Sequence, residues 1–99
     1  MSLAIDIDYG KITEFCKRNH ICRLSFFGSV LRDDFRPDSD IDVLVRFEPG
    51  YPVGLIRMAA MEIELSEILG RRVDLRTPAD LSRYFRDEVV ASAKVIYKL

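Results

Sequence analysis

Hydrophobic and polar positions change period several times along this chain. Ile12, Phe15 and Cys16 recur at i, i+3 and i+4 behind Asp8, which predicts a capped helix from about Asp8 to Asn19. Ile21 to Phe27 is rich in β-branched and aromatic residues and predicts a buried strand that Gly28 stops. A short helical turn is expected over Ser29 to Asp34, then a loop at Arg36-Pro37-Asp38-Ser39. From Asp40 to Phe47 the period is two. Ile41, Val43, Val45 and Phe47 alternate with Asp40, Asp42, Leu44 and Arg46, the mark of a strand with unlike faces. Glu48-Pro49-Gly50 ends it.

A long helix is expected over Val53 to Leu69, closed by Gly70. Leu55, Met58, Met61, Leu65, Ile68 and Leu69 form its core stripe, and Ile56, Ala59, Ala60 and Ile63 form a second one nearly opposite. The second stripe calls for a second burial, either under the C-terminal segment of the same chain or against another subunit. Val73-Asp74-Leu75 centres a third strand. Thr77-Pro78-Ala79-Asp80 has the form of a helix start, with Thr as N-cap and Pro at the first helical position. In the last segment, Asp87 to Tyr97, Val89, Val90 and Ala93 share a helical face, and Lys94 to Tyr97 fits either helix or a short edge strand. The order αβαβαβα implies an α/β (α+β) chain with a small mixed sheet, its helices packed mainly on one face. A strand buried on both faces would be apolar throughout. The carboxylate-bearing face of Asp40–Phe47 is therefore expected to be the open one.

Ninety-nine residues allow one core, so residues 1–99 are expected to form a single domain. A net charge of −1 argues against a dedicated nucleic-acid surface, which needs clustered excess Lys and Arg. No apolar run is long enough to span a membrane, and MSLAIDIDYG lacks the basic and apolar regions of a secretory signal, so a cytoplasmic protein is expected. Cys16 and Cys22, without clustered histidines, are expected to be small apolar side chains rather than zinc ligands. The lone His20 is expected near the C-terminal end of the first helix, interacting with its dipole, and it leaves little scope for a Ser-His-Asp triad.

The chemistry lies in the carboxylates and the turn before them. Asp40 and Asp42, two apart on a strand, point the same way. If the second and third strands pair, Asp74 joins them. Three hard oxygen donors without nearby His or Cys suit Mg²⁺ or Mn²⁺. Upstream, Gly28-Ser29 sits where a strand passes into a helical turn, a place that presents free N–H groups to phosphate oxygens. Arg32 and Arg36 follow and can offset triphosphate charge. A phosphate cradle beside carboxylate-held metal is equipment for in-line displacement at phosphorus.

The run Phe27-Gly28-Ser29-Val30-Leu31-Arg32, then Arg36 to Val45 containing Asp40-Ile41-Asp42, resembles the nucleotidyltransferase superfamily of DNA polymerase beta and kanamycin nucleotidyltransferase. It is most similar to that superfamily's minimal members, the MNT proteins. The resemblance continues through Leu69-Gly70-Arg71-Arg72-Val73-Asp74-Leu75, Tyr84-Phe85 and Val95-Ile96-Tyr97. Val30 and Asp33 stand where many MNT sequences carry Arg and Gly. The resemblance implies a nucleotidyltransferase-like fold. It implies that Asp40, Asp42 and Asp74 are the catalytic residues and hold two Mg²⁺ ions, and that Gly28 and Ser29 bind the β- and γ-phosphates of ATP. It implies transfer of AMP to a hydroxyl, expected to be a tyrosine, of a partner HEPN RNase toxin, with this chain as the antitoxin of a hetero-oligomer. Two other readings stand beside it: an antitoxin that acts by binding only, and a transferase for a small-molecule acceptor.

Overall fold

The computed structural model describes residues 7–31 and 39–99. In chain order it contains α1 (Tyr9–Arg18), β1 (Ile21–Phe27), a 3-10 turn (Gly28–Leu31), β2 (Ile41–Phe47), α2 (Leu55–Leu69), β3 (Val73–Arg76), a second 3-10 turn (Pro78–Asp80), α3 (Arg86–Ser92) and β4 (Lys94–Lys98). The strands form one mixed sheet in the order β3-β2-β1-β4. β1 runs antiparallel to both β2 and β4, and β2 runs parallel to β3. The ambiguous segment at Lys94 is thus an edge strand. It covers the side of β1 that β2 leaves unpaired, and the Leu99 N–H continues the pairing to the Cys22 carbonyl at 2.9 Å.

One face of the sheet carries the core. Leu24 and Phe26 of β1, Ile41, Val43 and Val45 of β2, and Val73 and Leu75 of β3 pack against Ile12, Phe15 and Cys16 of α1 and Met61 and Leu65 of α2. The helix ends follow from local chemistry. The Asp8 carboxylate accepts the Lys11 N–H at 3.2 Å at the start of α1. Gly70, at φ +67°, adopts the left-handed conformation that closes α2. Burial pushes the Cys16 thiol up to about 12, so at neutral pH it is an inert apolar side chain. Cys16 and the half-buried Cys22 are both free thiols.

Four expectations need correction. Pro78–Asp80 is a single 3-10 turn and not the start of a helix. The Thr77–Asp80 capping box is present, but Leu81 then turns extended and buries its side chain, which stops the turn. Leu55, assigned to the core stripe of α2, is 90% exposed, because the helix begins at that residue, beyond the edge of the core. The second stripe is not covered by the C-terminal segment, which is spent on α3 and β4: Ile56 and Ile63 are 89% and 63% exposed. His20 follows the end of α1 as expected, with its N–H donating to the Lys17 carbonyl at 3.5 Å, but its ring is committed to the loop after β2. It takes φ +55°, stacks its ring on Tyr51 at 3.7 Å and lies 3.6 Å from the Glu48 carboxylate, pinning the end of β2.

β3 is a sheet edge, and α2 closes it with side chains. The Ser66 hydroxyl accepts the Val73 N–H at 3.1 Å and donates to the Glu62 carbonyl at 2.7 Å. The Glu62 carboxylate accepts the Leu75 N–H at 2.9 Å. An edge whose donors are capped in this way is a poor template for a further strand. Glu62→Ala should therefore destabilise the fold by about 1–2 kcal/mol in urea unfolding and speed amide exchange at Leu75, while Glu62→Gln, which keeps an acceptor, should do neither.

Candidate nucleotide site

The face of the sheet opposite the core carries Ser25 of β1, then Asp42, Leu44 and Arg46 of β2, and Asp74 and Arg76 of β3. Its middle is covered: Leu44 and Ser25 are 6% and 3% exposed, and Pro78 and Val90 border the same small cavity as they do. The Asp42 and Asp74 end of this face is left half-buried. That end is where the Gly28–Leu31 turn begins, directly after β1.

β2 and β3 do pair, in parallel, and Asp42 lies in register with Asp74. Neighbouring strands set their α-carbons roughly 4.8 Å apart. On the other side Asp42 is in register with Phe27, the last residue of β1. This brings its carboxylate against the next residue, Gly28. A Cβ built on Gly28 would lie 2.3 Å from the Asp42 Oδ2, and Gly28 sits at φ +76°. Both the backbone conformation and the space require glycine there. Ser29 follows, half-buried, as the first residue of the turn after that glycine. Val30, 2% exposed, drops into the core and anchors the turn from beneath. A residue read from the sequence only as a missing loop charge is thus a structural peg.

Asp40 precedes β2 and is exposed. Arg32 and Arg36 lie outside the described residues. Arg76, two residues beyond Asp74, grips the Asp74 Oδ2 through its Nε at 3.2 Å and an Nη at 3.1 Å. Of the two arginines, Arg72 and Arg76, that the sequence offered as partners for Asp74, it is Arg76 that holds it. The pair is half-exposed, so its energetic weight is small, but it holds the carboxylate in one orientation. Among the described residues, no three His, Cys, Asp or Glu side chains are gathered closely enough to hold a metal by themselves. The donor set of Asp42 and Asp74, with Asp40 two residues upstream, is all hard oxygen and fits Mg²⁺ or Mn²⁺ in kind.

A glycine turn packed on a strand carboxylate, with a second carboxylate in parallel register, suits a nucleoside triphosphate. Residues 10–96 match the family model described as nucleotidyltransferase domain. The chain belongs to the nucleotidyltransferase domain family. Within it, the chain is 32% identical over 83 residues to MJ0435 of Methanocaldococcus jannaschii, named as a candidate protein adenylyltransferase, covering 84% of this chain and 87% of that one. A solved structure named as a candidate minimal nucleotidyltransferase is 35% identical, with a TM-score of 0.70 over 86% of this chain and 85% of that one. The same fold recurs, at 22% identity and a TM-score of 0.66, in the complex of tri-AMPylated Shewanella oneidensis HEPN toxin with MNT antitoxin, over 92% of this chain and 70% of that one. This nucleotidyltransferase thus has the minimal fold expected of it, and its substrate class is a nucleotide. Among the described residues no helix is long and apolar enough to cross a membrane.

Gly28 can be tested against glycines that share its conformation but not its neighbour. Gly50 and Gly70 also have positive φ, with nothing within 4 Å of a built Cβ. Gly50→Ala should cost about 1–2 kcal/mol from backbone strain alone. Gly28→Ala should cost more and should also abolish nucleotide binding, because the Asp42 carboxylate must move. Thermal unfolding with and without ATP and Mg²⁺ measures both effects.

Proposed function

We propose that this nucleotidyltransferase moves AMP from ATP onto a hydroxyl of a HEPN toxin partner, and so acts as an antitoxin. The observation that carries the reading is the packing of the Asp42 carboxylate on Gly28 with Asp74 in register beside it. The naming of a relative 32% identical over most of both chains as a protein adenylyltransferase supports AMP as the transferred group. The AMPylated HEPN toxin in a complex of the same fold supports the acceptor.

Asp40, Asp42 and Asp74 would hold Mg²⁺, which when bound supplies charge neutralisation at the entering and leaving oxygens. The backbone N–H groups of the turn at Gly28 and the Ser29 hydroxyl bind the β- and γ-phosphates, with Arg32 and Arg36 offsetting their charge. Gly28 lets those phosphates come close to the main chain. The acceptor hydroxyl, a tyrosine in this reading, attacks the α-phosphorus. A new oxygen–phosphorus bond forms, the bond from the α-phosphorus to the bridging oxygen breaks, pyrophosphate leaves, and the hydroxyl proton passes to solvent. Asp74 lies on the edge strand β3, one strand outward from Asp42. Arg76 keeps Asp74 oriented before the nucleotide arrives.

Asp42→Asn is nearly isosteric and keeps the contact with Gly28, so the fold should survive. Co-expressed with the toxin, the wild-type chain should leave adenylate mass increments on the partner. Asp42→Asn should leave none, while still co-purifying with it, and should fail to rescue growth. A drop in transfer of at least about 100-fold is expected if the carboxylate acts in the transition state. Rescue of growth by a variant that transfers nothing would instead establish inhibition by binding.

A further inference from the structure

The two oxygens of Asp74 are not equivalent. Asp74 and Arg76 sit two apart on β3, so they share the face of the sheet that carries Asp42 and Leu44. The Arg76 side chain runs back along the strand, and its Nε and one Nη both donate to the Oδ2 of Asp74, at 3.2 and 3.1 Å. Among the described residues no donor reaches Oδ1. Two donors from one planar group fix the rotation of a carboxylate as well as its place. Oδ1 is therefore the oxygen that Asp74 keeps available beside Asp42, its neighbour in register.

We propose that Arg76 is a positioning residue that sets which cation the site accepts: by occupying Oδ2 it restricts Asp74 to coordination through one oxygen, and so favours Mg²⁺ over Ca²⁺. The inference rests on the metal-holding role proposed for Asp74 above and deepens it. The reason is coordination geometry. Mg²⁺ demands a tight octahedron with ligands at about 2.0–2.1 Å. A carboxylate that gives both oxygens to one ion subtends too small an angle to fill two octahedral positions. Ca²⁺ gathers about six to eight oxygens in a longer, more flexible shell, and it takes carboxylates through one oxygen or two. An Asp74 with one oxygen already engaged loses nothing as a Mg²⁺ ligand, but it offers Ca²⁺ one oxygen fewer. To recover that oxygen, Ca²⁺ has to displace the guanidinium. The pair is half-exposed, which bounds the discrimination at about fivefold.

The test titrates the ¹³C-labelled chain with MgCl₂ and, separately, with CaCl₂ at constant ionic strength, following the Asp74 carboxyl carbon by NMR. Each titration gives a dissociation constant at that side chain. Arg76→Ala, at an exposed position, should leave the circular dichroism spectrum unchanged. Losing its positive charge strengthens both divalent ions alike, so the ratio of the Ca²⁺ constant to the Mg²⁺ constant isolates geometry from charge. That ratio should fall about fivefold in Arg76→Ala. In an Asp74→Asn chain the same change should leave the ratio, read at the Asp42 carboxyl carbon, where it was. An unchanged ratio in Arg76→Ala, with both ions bound at Asp74, overturns the inference and leaves the nucleotide reading standing. An equal fall in the Asp74→Asn background overturns it too, since the discrimination then does not pass through Asp74. An Asp74 carboxyl that responds to neither ion at millimolar metal overturns the metal role of Asp74 itself, and the inference with it.

Discussion

The site depends on one close approach, that of the Asp42 carboxylate to the α-carbon of Gly28. Antiparallel pairing of β1 with β2 sets Phe27 opposite Asp42, so the residue that follows Phe27 must turn away directly beside a carboxylate. Only a residue without a side chain fits, and only glycine takes the left-handed backbone at little cost. The turn that follows is held from below by Val30 in the core. The backbone proposed to bind phosphate and the carboxylate proposed to hold metal are thereby fixed to each other by the sheet itself. Rigid placement of this kind lets so small a chain carry transferase chemistry.

The two faces of the sheet divide the work. One is filled by α1 and α2 and supplies stability. The other carries the candidate site at one end, and over its middle Pro78 and Val90 border the small cavity beside Ser25 and Leu44. The parallel partner β3 adds Asp74, and its exposed edge is closed by Glu62 and Ser66 from α2, which protects the site's outer strand from pairing with foreign chains.

Much of this was legible in the sequence because one-sided burial leaves a period-two imprint. Ile41, Val43 and Val45 against Asp42 and Arg46 revealed both the strand and the face on which its carboxylate sits, and β1 and α1 were equally plain. Leu44 shows the limit. It alternates with the core residues yet is buried, because a segment more than thirty residues later folds over it. The stripe at Ile56 and Ile63 was visible, but periodicity does not say what lies across from it. Thr77-Pro78-Ala79-Asp80 carries genuine capping chemistry, yet no helix follows, since burying Leu81 in an extended conformation wins over continuing the turn. The His20–Tyr51 stack is a tertiary event between side chains that local pattern does not rank.

The central claim is that the turn at Gly28 and the paired carboxylates form one nucleotide site. Titration of the isotope-labelled chain with Mg²⁺ and a non-hydrolysable ATP analogue, followed by amide chemical shifts, tests it most directly. The account requires the largest shifts at Gly28, Ser29, Asp42 and Asp74, together and with one affinity, and none on the outward face of α2. Shifts confined to α2 or to the α3–β4 segment, with Gly28 and Asp42 unmoved, would contradict it.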